Sequence, residues 1–253
     1  MLRSMRNWIR NKYIRIVLIA AAYLLLWQLA AAVVGSPLLL PGPVTTIRRL
    51  FELLKQPACW GAIALTLGRI LAGFLLGVLL GVLLGALTAA SKLADALLAP
   101  LRSIVKATPV TSFILLALLW FSATIVPVWI SFLMVLPIVW SNVAEALLGT
   151  DPQLMEMSRV FRFTWWQRVR EIYLPSVARP FFAACTTALG FAWKSGVAAE
   201  ILSLPRHAVG TYLYQAKLTL ETADLFAWTL CVIAFSMLME RAMIKALRRL
   251  SHD

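Results

Sequence analysis

Three ionisable side chains, Arg69, Lys194 and Glu200, interrupt long apolar runs of this sequence. At bilayer depth each costs at least about 2.5 kcal/mol unless it is paired or hydrated, so each needs a partner or a wet path. Lys194 and Glu200 are about 240° apart around a helix and do not share a face. Lys194, beside Trp193, suits either an anion in transit or a carboxylate on a neighbouring helix, and both readings stay open. Arg69 stands a turn or two into its run, within reach of snorkelling outward. Arg69, Trp193, Lys194 and Glu200 are the candidate lining of a wet path through the membrane. The chain offers little for catalysis. It has no GxxxxGK[ST] phosphate loop and only two histidines, His207 and His252. Cys59, Cys185 and Cys231 lack metal-ligand spacing. No catalytic residue, metal site or resident cofactor is expected.

The elements around those charges are set by composition. Of 253 residues, 61% are hydrophobic and 14% charged, against about 45–50% and about 25% in soluble domains. The expected class is an all-α membrane protein. A net charge of +13 does not point to nucleic acid, because the cations flank apolar runs as lipid-facing charges do. Crossing a bilayer takes about 20 apolar residues. Six segments qualify or nearly qualify, at roughly 14–34, 62–90, 109–122, 124–148, 177–202 and 223–244. The third is short, and 91–106 reads as a half-buried extension of it. The first apolar stretch is longer than the roughly 7–15 residues of a secretory signal core, so it reads as an uncleaved span. The expected organisation is an N-terminal segment, 1–13, and a single transmembrane domain, 14–253.

With the N-terminus in the cytoplasm, seventeen of the 24 lysines and arginines fall on the inner side and five on the outer. That asymmetry is a positive-inside signal placing both termini in the cytoplasm. On the outer side, 40–56 carries Pro43 as a helix start and apolar residues at helical spacing, a helix lying along the surface. Residues 204–221 form a second such segment. Gly73, Gly77, Gly81 and Gly85 recur every four residues, so one helix face is a flat groove for another backbone. The partner helix belongs either to the same chain or to a second copy.

The stretch "DPQLMEMSRVFRFTWWQRVREIYLP", 151–175, is polar where its surroundings are not. Asp151 and Pro152 start a helix, as N-cap and first helical residue. Leu154, Met157 and Phe161 then share one face, with Glu156 and Arg159 pointing away. Thr164 and Gln167 make a capping box for a second helix. Trp165, Val169, Ile172 and Tyr173 are its expected apolar face, and Leu174–Pro175 its expected end. The result is two short amphipathic helices with a bend near Arg162. They suit a groove on a partner protein or, alternatively, rest on lipid with the tryptophans as anchors.

This stretch resembles the "EAA" cytoplasmic loop of ATP-binding-cassette importer permeases. Glu156 matches the glutamate, Asp151–Pro152 the lead-in and Leu174–Pro175 the close. "LPGP" at 40–43, "WF" at 120–121 and "GFAWKSGVAAEIL" at 190–202 are similar to the nitrate, sulfonate, taurine and thiamine-precursor branch. The resemblance covers roughly 40–250. Met157 and Ser158 replace the two alanines, and Arg162 replaces a glycine whose left-handed backbone costs another residue about 1–2 kcal/mol.

The resemblance implies a type I importer fold in a bacterial cytoplasmic membrane. Two permease copies, an expected homodimer, form the pore. Two ATPase subunits, which use ATP and Mg, receive the coupling hairpins, and an extracytoplasmic substrate-binding protein delivers solute. Membrane lipid is a further partner; nucleic acid is not. The coupling residues implied are Asp151, Leu154, Glu156, Met157, Arg159, Phe161 and Arg162. Energy-coupling-factor scaffolds and ion-driven secondary transporters are the alternatives. The latter usually carry inverted repeats, and no clear duplication is visible.

Overall fold

A computed structural model describes residues 12–250; the expected cytoplasmic segment 1–13 lies almost wholly outside them. Every regular element among the described residues is helical. In chain order these are α1 (Lys12–Val34), α2 (Pro43–Leu54), α3 (Pro57–Ala90), α4 (Lys92–Ala107), α5 (Val110–Trp120) and α6 (Val126–Leu148). They are followed by α7 (Pro152–Val160), α8 (Trp165–Arg168), a π-helical turn (Val169–Tyr173), α9 (Leu174–Ser203), α10 (Val209–Leu218) and α11 (Thr222–Leu250). Two compact units share them, 12–60 with 212–232, and 61–211 with 233–250.

Among the described residues, four helical segments are long and apolar enough to cross a bilayer: Ile14–Val34, Pro57–Ala90, Val126–Leu148 and Thr222–Lys245. Two expected spans differ. The segment predicted at 109–122 is α5, 11 residues long, which rises only about 16 Å against a hydrocarbon core of about 30 Å. It meets α4 at 104°, and the two together make one broken span or a re-entrant loop. Pro109 causes the break by forcing Thr108 out of helical geometry, to ψ 130°. The segment predicted at 177–202 lies in α9, whose 30 residues are long enough. It is less apolar than the four others and carries Arg179, Lys194 and Glu200 along its length.

In the first unit, α2 begins at Pro43, and the Thr46 hydroxyl donates to the Gly42 carbonyl at 3.0 Å. The Trp27 indole of α1 donates to the Pro41 carbonyl at 3.1 Å and stacks on Phe226 of α11. Arg49 of α2 forks onto Asp224 of α11 and reaches Glu52 at 3.0 Å. Its hydrogen bonds donated to Asp224, with help from Glu52, hold the Arg49 guanidinium above its ordinary range. The expected surface helix at 40–56 is therefore tied down by ions as well as apolar contact.

In the second unit, α3 packs on α6 along the glycine stripe. A Cβ built on Gly73 would fall 2.2 Å from the Val128 carbonyl oxygen, and one on Gly77 2.7 Å from Val135. Gly81 and Gly85 meet Val139 and Val143 in the same way. The seam is thus made within one chain. The Trp140 indole of α6 donates to Thr88 of α3 at 3.0 Å. Helix α4 turns its polar face inward, with Arg102 over the Trp140 ring and Lys106 donating to Ser141 at 2.8 Å. Its Leu93, Leu97, Leu101 and Ile104 face outward, the arrangement apolar surroundings favour.

Candidate functional site

The hairpin is built by local rules that the sequence carries. Asp151 caps α7 by accepting from the Gln153 amide at 2.8 Å. The Thr164–Gln167 capping box is complete, with the Thr164 amide donating to Gln167 Oε1 at 2.8 Å. Between them, Phe163 N–H reaches back to the Ser158 carbonyl at 2.9 Å and Arg162 N–H to Arg159 at 3.1 Å. This pair of bonds is the Schellman closure, whose next residue is left-handed. That residue is Arg162, at φ 51°. Arginine therefore adopts the left-handed backbone of the glycine it replaces, at about 1–2 kcal/mol. Ser158, in place of an alanine, is fully buried and its hydroxyl back-bonds to the Met155 carbonyl at 2.7 Å. A small side chain is all that position needs.

Two expectations for the second half are corrected. Helix α8 does not end at Leu174–Pro175. It runs through the π-turn into α9 without a break, and the Leu174 N–H bonds to the Val169 carbonyl five residues back. A proline inside an α-helix clashes with the carbonyl four residues earlier and leaves it unbonded. The wider π-turn shifts that carbonyl aside, and the Ser176 hydroxyl caps Ile172 at 2.7 Å. The same extra residue breaks the expected apolar face. Ile172 is buried, whereas Trp165 is 72% exposed.

Among the coupling candidates, Leu154, Met157 and Phe161 are exposed, as are Asp151, Glu156, Arg159 and Arg162. Val160, which sequence spacing does not single out, joins their apolar patch at 78% exposure. The hairpin thus presents grease and charge outward, uncovered by any other described residue.

The intramembrane charges divide. Glu200 is fully buried and held by three residues on two other helices, α3 and α10. Arg69 of α3 pairs with it at 3.1 Å, the Thr66 hydroxyl lies 2.9 and 3.0 Å from its two oxygens, and the Gly210 amide donates at 3.1 Å. Thr66 also accepts from the Val209 amide at 3.1 Å, and Arg69 donates to the Arg206 carbonyl at 3.2 Å. Arg69 does not snorkel outward; it faces Glu200. The network fastens the 204–210 segment to α3 and α9. Gly210 permits the approach, since a Cβ there would lie 2.4 Å from the Glu200 Cβ. Neither Thr66 nor Gly210 is legible as a site residue in the sequence, because their partner is more than a hundred positions away or across a turn. Trp193 is buried. Lys194 is exposed, on a different face of α9 from buried Glu200, and no ion pair reaches it among the described residues.

The fold is that of a helical membrane protein with an apolar-tipped polar hairpin and one exposed lysine, Lys194, on an otherwise apolar helix. Residues 73–250 match the binding-protein-dependent transport system inner membrane component family, and the chain belongs to that family. It is a multi-pass membrane subunit of an ABC importer, whose ATP hydrolysis resides in a separate subunit. A Bacillus subtilis (strain 168) protein named as the aliphatic sulfonates transport permease SsuC is 27% identical over 96% of this chain and 89% of its own length. The Escherichia coli (strain K12) protein of that name is 31% identical over 78% and 75%. The bicarbonate transport system permease protein CmpB of Synechococcus elongatus is 25% identical over 87% and 82%. A solved amino acid ABC transporter chain shares the fold, with a TM-score of 0.61 at 17% identity, covering 81% of this chain and 96% of that one.

Proposed function

We propose that this chain forms the translocation path of an importer for a small oxyanion, such as a sulfonate or bicarbonate. Two identical copies line the pore, two ATPase subunits grip the hairpins from the cytoplasm, and an extracytoplasmic binding protein delivers solute. The observation that carries the reading is the hairpin: a doubly capped unit with Leu154, Met157, Val160 and Phe161 exposed, fused to α9. The relatives' printed substrates support a small anion. ATP-driven closure moves the permease only if the ATPases bind the hairpin differently in their two states, because a ligand shifts an equilibrium by its differential affinity alone.

Glu156 makes the charged contact with the ATPase in this reading, while the four apolar side chains fill its groove. Glu156→Arg leaves the permease inserted in the membrane but reduces the ATPase recovered with it and lowers uptake together. Co-purification from membranes with equal permease content measures this, and normal transport by an assembled variant rejects the assignment.

Lys194 is the fixed cation of the path. Exposed in lipid it would cost at least about 2.5 kcal/mol; in a water-filled path shared by two copies it attracts anions. Arg69 and Glu200 neutralise each other and act as the structural anchor beside that path. Lys194→Met, with complex abundance held equal, lowers uptake of the anion at least tenfold and leaves the thermal midpoint unchanged. Unchanged uptake removes the path role. Reconstitution with the binding protein, asking which of sulfonate, bicarbonate and nitrate stimulates ATP hydrolysis, tests the whole proposal.

A further inference from the structure

We propose that the second half of the hairpin, from Trp165 through Arg170, is a clamp for anionic phospholipid headgroups, separate from the face that α7 offers the ATPase. The inference rests on the proposed cytoplasmic placement of the hairpin. Trp165 and Trp166 are 72% and 66% exposed, with ring centroids 6.3 Å apart. Their helix, α8, continues through the π-turn into α9, so the two indoles sit within about 13 Å of chain rise from Leu174, where that helix turns apolar. Indoles favour this depth, because the ring is apolar and the N–H is met by headgroups.

The charge around the rings is one-sided. Between 162 and 179 the sequence carries Arg162, Arg168, Arg170 and Arg179 against one acidic residue, Glu171, which is already paired with Arg170 at 3.6 Å. Arg168 Nε is buried without a hydrogen-bond partner among the described residues, a charged donor still lacking an acceptor. A guanidinium fork is matched to phosphate oxygens, which the headgroup layer supplies at this level. The ATPase-facing apolar patch lies on α7, before the Schellman turn. The left-handed Arg162 redirects the chain between the two halves, so one hairpin serves a protein socket with one arm and a lipid surface with the other.

The test uses the assembled transporter, permease with its ATPase subunits, in phosphatidylcholine alone and with phosphatidylglycerol added. One readout is the phosphatidylglycerol retained by the purified complex after detergent washing; the other is the rate of ATP hydrolysis. Wild type retains phosphatidylglycerol over phosphatidylcholine at least about fivefold, the factor one surface arginine contributes, and hydrolyses ATP faster with it. Arg168→Gln with Arg170→Gln and Trp166→Ala loses both preferences and keeps its ATPase subunits. Arg170→Gln alone, at an exposed position, loses part of each and guards against misfolding of the triple variant. Indifference of wild type to phosphatidylglycerol overturns the clamp, as does a triple variant that keeps both preferences. A triple variant that sheds its ATPase assigns this face to the protein partner and overturns it too. A wild-type permease that recruits no ATPase in either lipid counts against the coupling reading, while lipid retention still decides the clamp.

Discussion

Glu200→Leu lowers the thermal midpoint of the purified protein and abolishes uptake, and adding Arg69→Leu restores much of the stability. Removing one member of a buried pair leaves the other charge uncompensated, at a cost of about 3–5 kcal/mol. Here the loss also strands the Gly210 amide and the Thr66 hydroxyl, both of which donate into the Glu200 carboxylate. Replacing both ions by apolar residues is often near neutral, because two desolvation costs vanish with the attraction. Glu200→Gln falls between, since its amide oxygen still accepts from Gly210. The thermal midpoints of the two single variants and the double variant, measured side by side, form the cycle. Additive losses in the double variant reject the pair as a unit.

Gly73→Ala disrupts the protein as severely, though alanine is the better helix former. The added methyl falls 2.2 Å from the Val128 carbonyl oxygen and 2.8 Å from the Ser131 Cβ, and backbone cannot rotate aside as a side chain can. Helix α3 must lift away from α6, giving up the close contact that binds helices in lipid, where no hydrophobic force draws them together. Gly68→Ala is the control. It lies on the same helix with nothing within 4 Å of its Cβ, and it gains about 0.5–1 kcal/mol. Size-exclusion recovery after heating separates the two; equal recovery rejects the seam.

What the sequence made legible follows the range of the interactions. The Asp151 cap, the Thr164–Gln167 box and the proline start of α2 depend on neighbours within four positions, and each stands as expected. The glycine stripe announced a close helix contact, and only the partner needed three dimensions. Arg69 and Glu200 were legible as costly charges but not as a pair, because 131 positions separate them and helical spacing relates only near neighbours. The end expected at Leu174–Pro175 failed for a different reason. Proline rules assume α geometry, and one π-turn removes the clash on which they rest. The bend between α4 and α5 was hidden because hydropathy measures greasiness along the chain and carries no direction.

That uninterrupted winding has a mechanical consequence. From Trp165 to Ser203 the backbone is one rod, roughly 58 Å long at about 1.5 Å per residue, with the Glu200 anchorage near its far end. A loop at Leu174 would have absorbed a small stroke as slack. Without one, and with the hairpin in the cytoplasm as proposed, tilt imposed at its tip emerges across the membrane as displacement at the 204–210 segment, minus whatever flexing Pro175 and Pro180 allow. The proteins on the two sides of the bilayer would then be geared together through a single piece of main chain.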